Sequence, residues 1–147
     1  MTESPWKVQQ YSYFWIASKD VTAAEITAAI GLAPDRTVVR GSRRMTPDPV
    51  PIEHRWEVVC DRHGRIDKQV SVVLSRIEPV AERVRILTER GGVESGLTMV
   101  RWFDDPAGGY GAMSWWLSPE QIALLAMMHA NIQADEYAGD FTVHGPH

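Results

Sequence analysis

Three observations predict an α+β domain with a mostly antiparallel five-stranded sheet and helices packed mainly on one face. Aromatic and β-branched runs alternate with helical periods in the order β-α-β-α-β-β-α-β, which lacks the strict alternation of a doubly wound parallel sheet. Two consecutive strand-like runs flank Asp105-Pro106-Ala107-Gly108-Gly109, turn chemistry that fits an antiparallel hairpin. Helical crossovers bridge strands one to two and four to five, so some parallel pairing is expected beside that hairpin.

The elements follow in order. Tyr11 to Ser18 (YSYFWIAS) is aromatic and branched enough for a strand. Thr22 and Glu25 then form a T-x-x-E capping box, with Val21 and Ile26 at the positions of a hydrophobic staple. Ile26, Ala29 and Ile30 face inward, and Gly31 can close the helix in the left-handed conformation. His54 to Cys60 (HRWEVVC) is the next strand. From Ile66, the positions Val70, Val73, Leu74, Ile77, Val84 and Leu87 mark the face of the longest helix, which Pro79 should break near Ile77 to Glu78 and Gly91-Gly92 should end. Leu97 to Asp104 and Gly111 to Leu117 read as the hairpin strands. Ser118 and Gln121 repeat the capping box, with Pro119 at the first helical position and Leu117 and Ile122 as staple. Ile122, Leu125, Met128 and His129 share a face, Asn131 is the expected stop, and Ile132 to Tyr137 supplies the last strand.

Composition bounds the function. The 147 residues fit one domain, here 11–138, with an N-terminal extension over 1–10 and a tail over 139–147. Hydrophobic residues at 44% and charged residues at 23% exclude a disordered or collagen-like class. A net charge of −4 and a pI near 5.7 argue against a general nucleic-acid binder, whose affinity comes from neutralised phosphates. Cys60 is the only cysteine, so no internal disulfide can form. No signal-peptide order and no apolar run near the roughly 18 residues of a span is present, so the expected compartment is the cytoplasm.

The chain also carries a family likeness. YFWIASKDVTAAEITAAIGLAPDRTVVRG, HRWEVV, a long helix and MSWWLSPEQIALLAMMHANIQADEY follow one another, including Gly31-Leu32-Ala33-Pro34, the basic loop Arg36 to Gly41, Trp56, Ser118-Pro119 and Asp135-x-Tyr137. This series, over about residues 11 to 138, resembles the bacterial family catalogued as domain of unknown function 4279. The resemblance implies a fold and assigns no reaction, catalytic residue or cofactor.

Two constellations invite a binding role. Gly31 to Met45 (GLAPDRTVVRGSRRM) gathers Arg36, Arg40, Arg43 and Arg44 with Asp35 as its one acid, and guanidinium forks match phosphate or carboxylate geometry. With Pro47, Pro49 and Pro51 following, this long connection should be extended and lie at the rim of a ligand or partner surface. The bland alternative is a solvated loop. Of six tryptophans, Trp56, Trp115 and Trp116 are assigned to the contact surface, since a Trp on a bare sheet face anchors partners. Trp115 and Trp116, adjacent on a strand, must point to opposite faces.

Other chemistry is less well supported. Cys60-x-x-His63 and His144-x-x-His147 have spacings that zinc uses, but no second Cys or carboxylate cluster accompanies them, and neither a metal nor a cofactor is expected. Ser12, Ser18 and Ser114 lack an elbow motif, and His129 is expected to pack on its helix face. Asp104-Asp105 reads as turn chemistry and Asp135-Glu136 as strand alternation. The reading is a small binding module that uses an aromatic sheet face and the arginine loop to take a protein partner or an anionic small ligand. The alternatives are an enzyme acting on an anionic small molecule, with Arg36 and Arg40 as clamps, and an immunity-type protein that blocks a toxin.

Overall fold

The computed structural model describes residues 8–42, 50–60, 64–103 and 114–138. Along the chain lie β1 (Val8–Ser18), α1 (Ala23–Ile30), β2 (Arg36–Val38), β3 (His54–Cys60), α2 (Ile66–Ile77), a 3₁₀ turn (Glu78–Val80), α3 (Ala81–Glu89), β4 (Val93–Phe103), α4 (Pro119–Met127) and β5 (Ala130–Ala138). The strands form one mixed sheet in the order β2-β3-β1-β4-β5. All neighbours are antiparallel except β4 and β5, which run parallel with α4 in their connection. The helices pack on one side, as an α+β domain requires.

Strand alternation decides which residues meet that helical layer. Phe14 and Ile16 of β1, Trp56 and Val58 of β3 and Leu97 and Met99 of β4 join Ile26, Ile30, Val70, Val73, Leu74, Ile77, Val84 and Leu87 in one core. Each side chain of this size contributes roughly 1.5–3 kcal/mol when fully buried. The break at Pro79 falls where its missing N–H predicts, as a single 3₁₀ turn joining α2 to α3.

The helix ends show how local chemistry sets the elements. Thr22 Oγ1 accepts from Glu25 N–H at 3.1 Å, and Ser18 Oγ just before it accepts from Asp20 and Val21 N–H while donating to Gly92 O at 2.7 Å. Gly31 ends α1 at φ 74°, which glycine reaches without a Cβ penalty. At α4 both halves of the capping box are present: Gln121 N–H donates to Ser118 Oγ and Gln121 Oε1 accepts from Ser118 N–H.

Several expectations need correction. Gly111 to Leu117 does not supply a described strand: residues 114–117 are irregular, and 111–113 lie outside the described residues. The reason is in the sheet. β4 is already flanked by β1 and β5, leaving no free edge for a hairpin partner, and Trp115 and Leu117 instead pack against the core. Five strands are reached through β2, a three-residue strand inside the arginine connection. The inward face of α4 is also narrower than expected: Leu125 and Met128 are buried, whereas Ile122 and His129 are exposed. His129, not Asn131, holds the left-handed position at φ 58°, and β5 begins directly after it. Among the described residues no helix is long and apolar enough to cross a membrane.

Candidate functional site

The side chains of β1 that alternate with Phe14 and Ile16 point to the side of the sheet that, among the described residues, no helix packs against. The registers lay them out in rows. Arg36, Glu57, Trp15, Gly96 and Asn131 follow one another across all five strands; Val59, Tyr13, Thr98 and Gln133 form the next row; Tyr11, Val100 and Asp135 the next; and Trp102 and Tyr137 stand opposite each other at the far end.

Aromatic rings link three of these rows. Tyr13 stacks on Tyr11 with centroids 5.9 Å apart, Tyr11 on Trp102 at 5.8 Å, and Trp102 on Tyr137 at 5.0 Å. This continuous ladder crosses β1, β4 and β5, and each such pair adds about 0.5–1.5 kcal/mol beyond area burial. Trp15 packs against Gly96: a Cβ there would fall 2.5 Å from Trp15 Cζ2 and nearer still to Asn131 Oδ1, so only glycine leaves room for both side chains. The indole N–H donates to Thr98 Oγ1 at 3.0 Å.

Charge caps one end of this surface. Arg36 sits over the Tyr13 ring at 5.7 Å and Arg55 over the Trp15 ring at 4.9 Å. Glu57 lies between them, 3.0 Å from Arg36 and 3.5 Å from Arg55, and Glu53 stands 3.8 Å from Arg55, so two carboxylates balance the two guanidiniums and help hold them in place. Burial pushes both tyrosine hydroxyls above their ordinary range. For Tyr13 this outweighs the Thr98 hydrogen bond and the Arg55 charge, and for Tyr11 it outweighs the Arg36 charge. Both therefore present neutral O–H groups at neutral pH, able to donate and to accept.

The residues singled out from sequence divide. Arg36 belongs to this surface. Arg40 lies in the turn beside it, its backbone N–H donating to His54 Nδ1 and its guanidinium to Lys19 O, both at 3.1 Å. Arg43 and Arg44 lie outside the described residues. Trp56 is a correction: it is fully buried on the helix side, its Nε1–H donating to Thr27 Oγ1 at 3.1 Å, so it is a core residue and not a contact residue. Trp115 is half-buried against the core and Trp116 is 63% exposed, so the pair does divide between inside and outside, though from an irregular segment rather than a strand.

Tyr11, Tyr13, Trp102, Tyr137, Arg55 and Glu57 were not anticipated at the site. The alternation Tyr11-x-Tyr13-x-Trp15 against Phe14-x-Ile16 carried the signal, but the ladder emerges only once β4 and β5 are placed in register.

The other candidate chemistries have structural placements. Cys60 is buried on the core side, while His63, His144 and His147 lie outside the described residues. Ser12 is buried, and Ser18 serves the β1–α1 turn. A pocket of about 260 Å³ opens at that turn, lined by Lys19 with Asp20, Glu53 and Glu94, a balance of charge that does not suit an anionic substrate.

An α+β domain with one face of its sheet left to aromatic and charged side chains is the class this geometry defines. Residues 7–139 match the family model described as Domain of unknown function (DUF4279), and the chain belongs to that family. No curated protein and no solved structure matched it.

Proposed function

We propose that this chain is a cytoplasmic binding module that takes a partner protein on the face of its sheet that no described helix covers. The observation that carries the reading is the stacked ladder Tyr13, Tyr11, Trp102, Tyr137 on the side without helices. Rings with polar ends give large contact area at low conformational cost, which is why they anchor interfaces. Arg36 and Arg55 are already held by Glu57 and by the rings beneath them, so little side-chain freedom is lost when a partner arrives. Together with Arg40 in the adjoining turn, they favour a partner with acidic groups at that end.

A photo-crosslinking phenylalanine analogue replacing Tyr11 or Tyr137 tests this in cells of the source organism. Adducts of a distinct mass from both positions, and not from the helix-side position of Val72, are expected. Adducts from Val72 alone would place the contact on the helical layer and refute the reading. A thermal-shift screen of phosphate, nucleotides and dicarboxylates against wild type and Arg36→Ala/Arg40→Ala separates out the anionic-ligand alternative. Stabilisation of wild type alone by one compound would move the assignment to a small anion.

A further inference from the structure

The two edges of the sheet are built differently. At one edge β2 is only three residues long, and just beyond it Asp35 closes the margin of β3: its carboxylate accepts Val59 N–H at 2.7 Å and holds Arg76 at 2.7 Å. A short strand and a carboxylate on the next free N–H are ordinary ways to keep a sheet from being extended. At the other edge β5 runs for nine residues, paired with β4 in unbroken register from Ala130 to Ala138 without a bulge. Its sequence ANIQADEYA has no Lys, Arg, Pro or Gly to blunt it. Residues 131–134 are all exposed, Ile132 at 44%, and among the described residues no strand pairs with the outer side.

We propose that the outer edge of β5 pairs antiparallel with β5 of a second copy of this chain, joining two sheets into one ten-stranded sheet about a two-fold axis. The occupant is argued from self-complementarity. A two-fold axis perpendicular to a sheet sets residues of the same face opposite each other, so it must pass through a residue pair. Centred on Ala134, all nine residues pair, with Gln133 opposite Asp135 and Ile132 opposite Glu136 of the partner copy. Moving the centre to Asp135 would set that carboxylate against itself, and moving it to Gln133 would bring His129 into the pairing. Only the Ala134 register uses the whole strand and sets no like charges directly opposite. The acids are also partnered within their own copy: Glu136 pairs with Arg101, and Asp135 accepts from Gln133 Nε2 at 2.9 Å. The open aromatic faces of the two copies would then lie on the same side of the joined sheet.

Sedimentation equilibrium and cysteine crosslinking on the full chain test the proposal. Wild type should show a dimer mass. Ala134→Cys should oxidise to a covalent dimer, because the substituted position faces itself across the axis at about 4.5–5.5 Å between Cα atoms. Ile132→Cys, about four residues out of step with its own copy, should stay largely reduced. Gln133→Asp should weaken the dimer about tenfold, because two symmetry-related like-charge pairs form, and Gln133→Lys should strengthen it. A monomeric mass at the highest soluble concentration, equal crosslinking of both cysteine variants, or joining of Ala134→Cys to a different protein would each overturn the proposal.

Discussion

On the covered face of the sheet, Phe14, Ile16, Trp56, Val58 and Leu97 are sealed beneath the helices, and the indole N–H of Trp56 is answered by Thr27. On the other face Tyr11 and Tyr13 are half-buried, Trp102 stacked against Tyr11 is buried, and Tyr137 at the end of the ladder stays 46% exposed. Aromatic side chains thus serve both faces in different ways. Beneath the helices they fill volume and fix the fold; on the side that no described helix covers they stack into an ordered ladder that ends at an exposed ring, Tyr137. The difference teaches that the number of tryptophans in a chain says little until each is given a face.

That contrast can be broken by substitution, and the largest effect belongs to the covered side. Trp56→Ala should cost about 3–5 kcal/mol in denaturant unfolding, since it empties a fully buried site. A small loss there would mean that the helical layer does not seal β3. Next comes the open side's one point of tight packing. Gly96→Ala should cost about 1–3 kcal/mol because the new methyl meets both the Asn131 side chain and the Trp15 ring. A neutral result would show that the indole does not rest on the β4 backbone. Ser118→Ala should follow at about 0.5–2 kcal/mol, read from the same midpoints, because it leaves an orphan N–H at the start of α4.

The smallest expected effect is pH dependence at the protected sheet edge. Partial burial raises the Asp35 carboxyl, but the Arg76 hydrogen bond, Val59 N–H and the charges of Arg76 and Arg36 outweigh it and hold the group below its ordinary value of 3.8. A lowered folded value means that the stabilisation is fully present above the ordinary value and is lost as pH falls through the folded one. Asp35→Asn should therefore remove part of the acid sensitivity below about pH 4. Solvent screening at this half-exposed pair keeps the effect small. An unchanged acid limb would count against the contact.

How far the sequence carried this account depends on the range of each signal. Caps, Pro79 and Gly31 act within a few residues, and α1, the break between α2 and α3, and α4 stand where those residues put them. The hairpin expected from Asp105 to Gly109 rested on local turn chemistry, whereas strand pairing is decided by which edge of β4 is free, and β5 had taken it. β2 was hidden because three residues, only two of them branched, give too little period to notice. At the site, Arg36 was legible as part of a basic loop. The ladder was not, because it joins residues from 11 to 137 and depends on the parallel register that sets Trp102 against Tyr137.

The claim that the bare face is the working face is tested most directly by comparing partner retention in two paired variants of matched stability. One is Tyr11→Ser/Tyr13→Ser on the ladder; the other is Val72→Ser/Ile86→Ser at exposed apolar positions on the helices. Co-purification from the source organism should lose the partner from the ladder variant and keep it on the helix variant. Retention by the ladder variant together with loss from the helix variant would contradict the account.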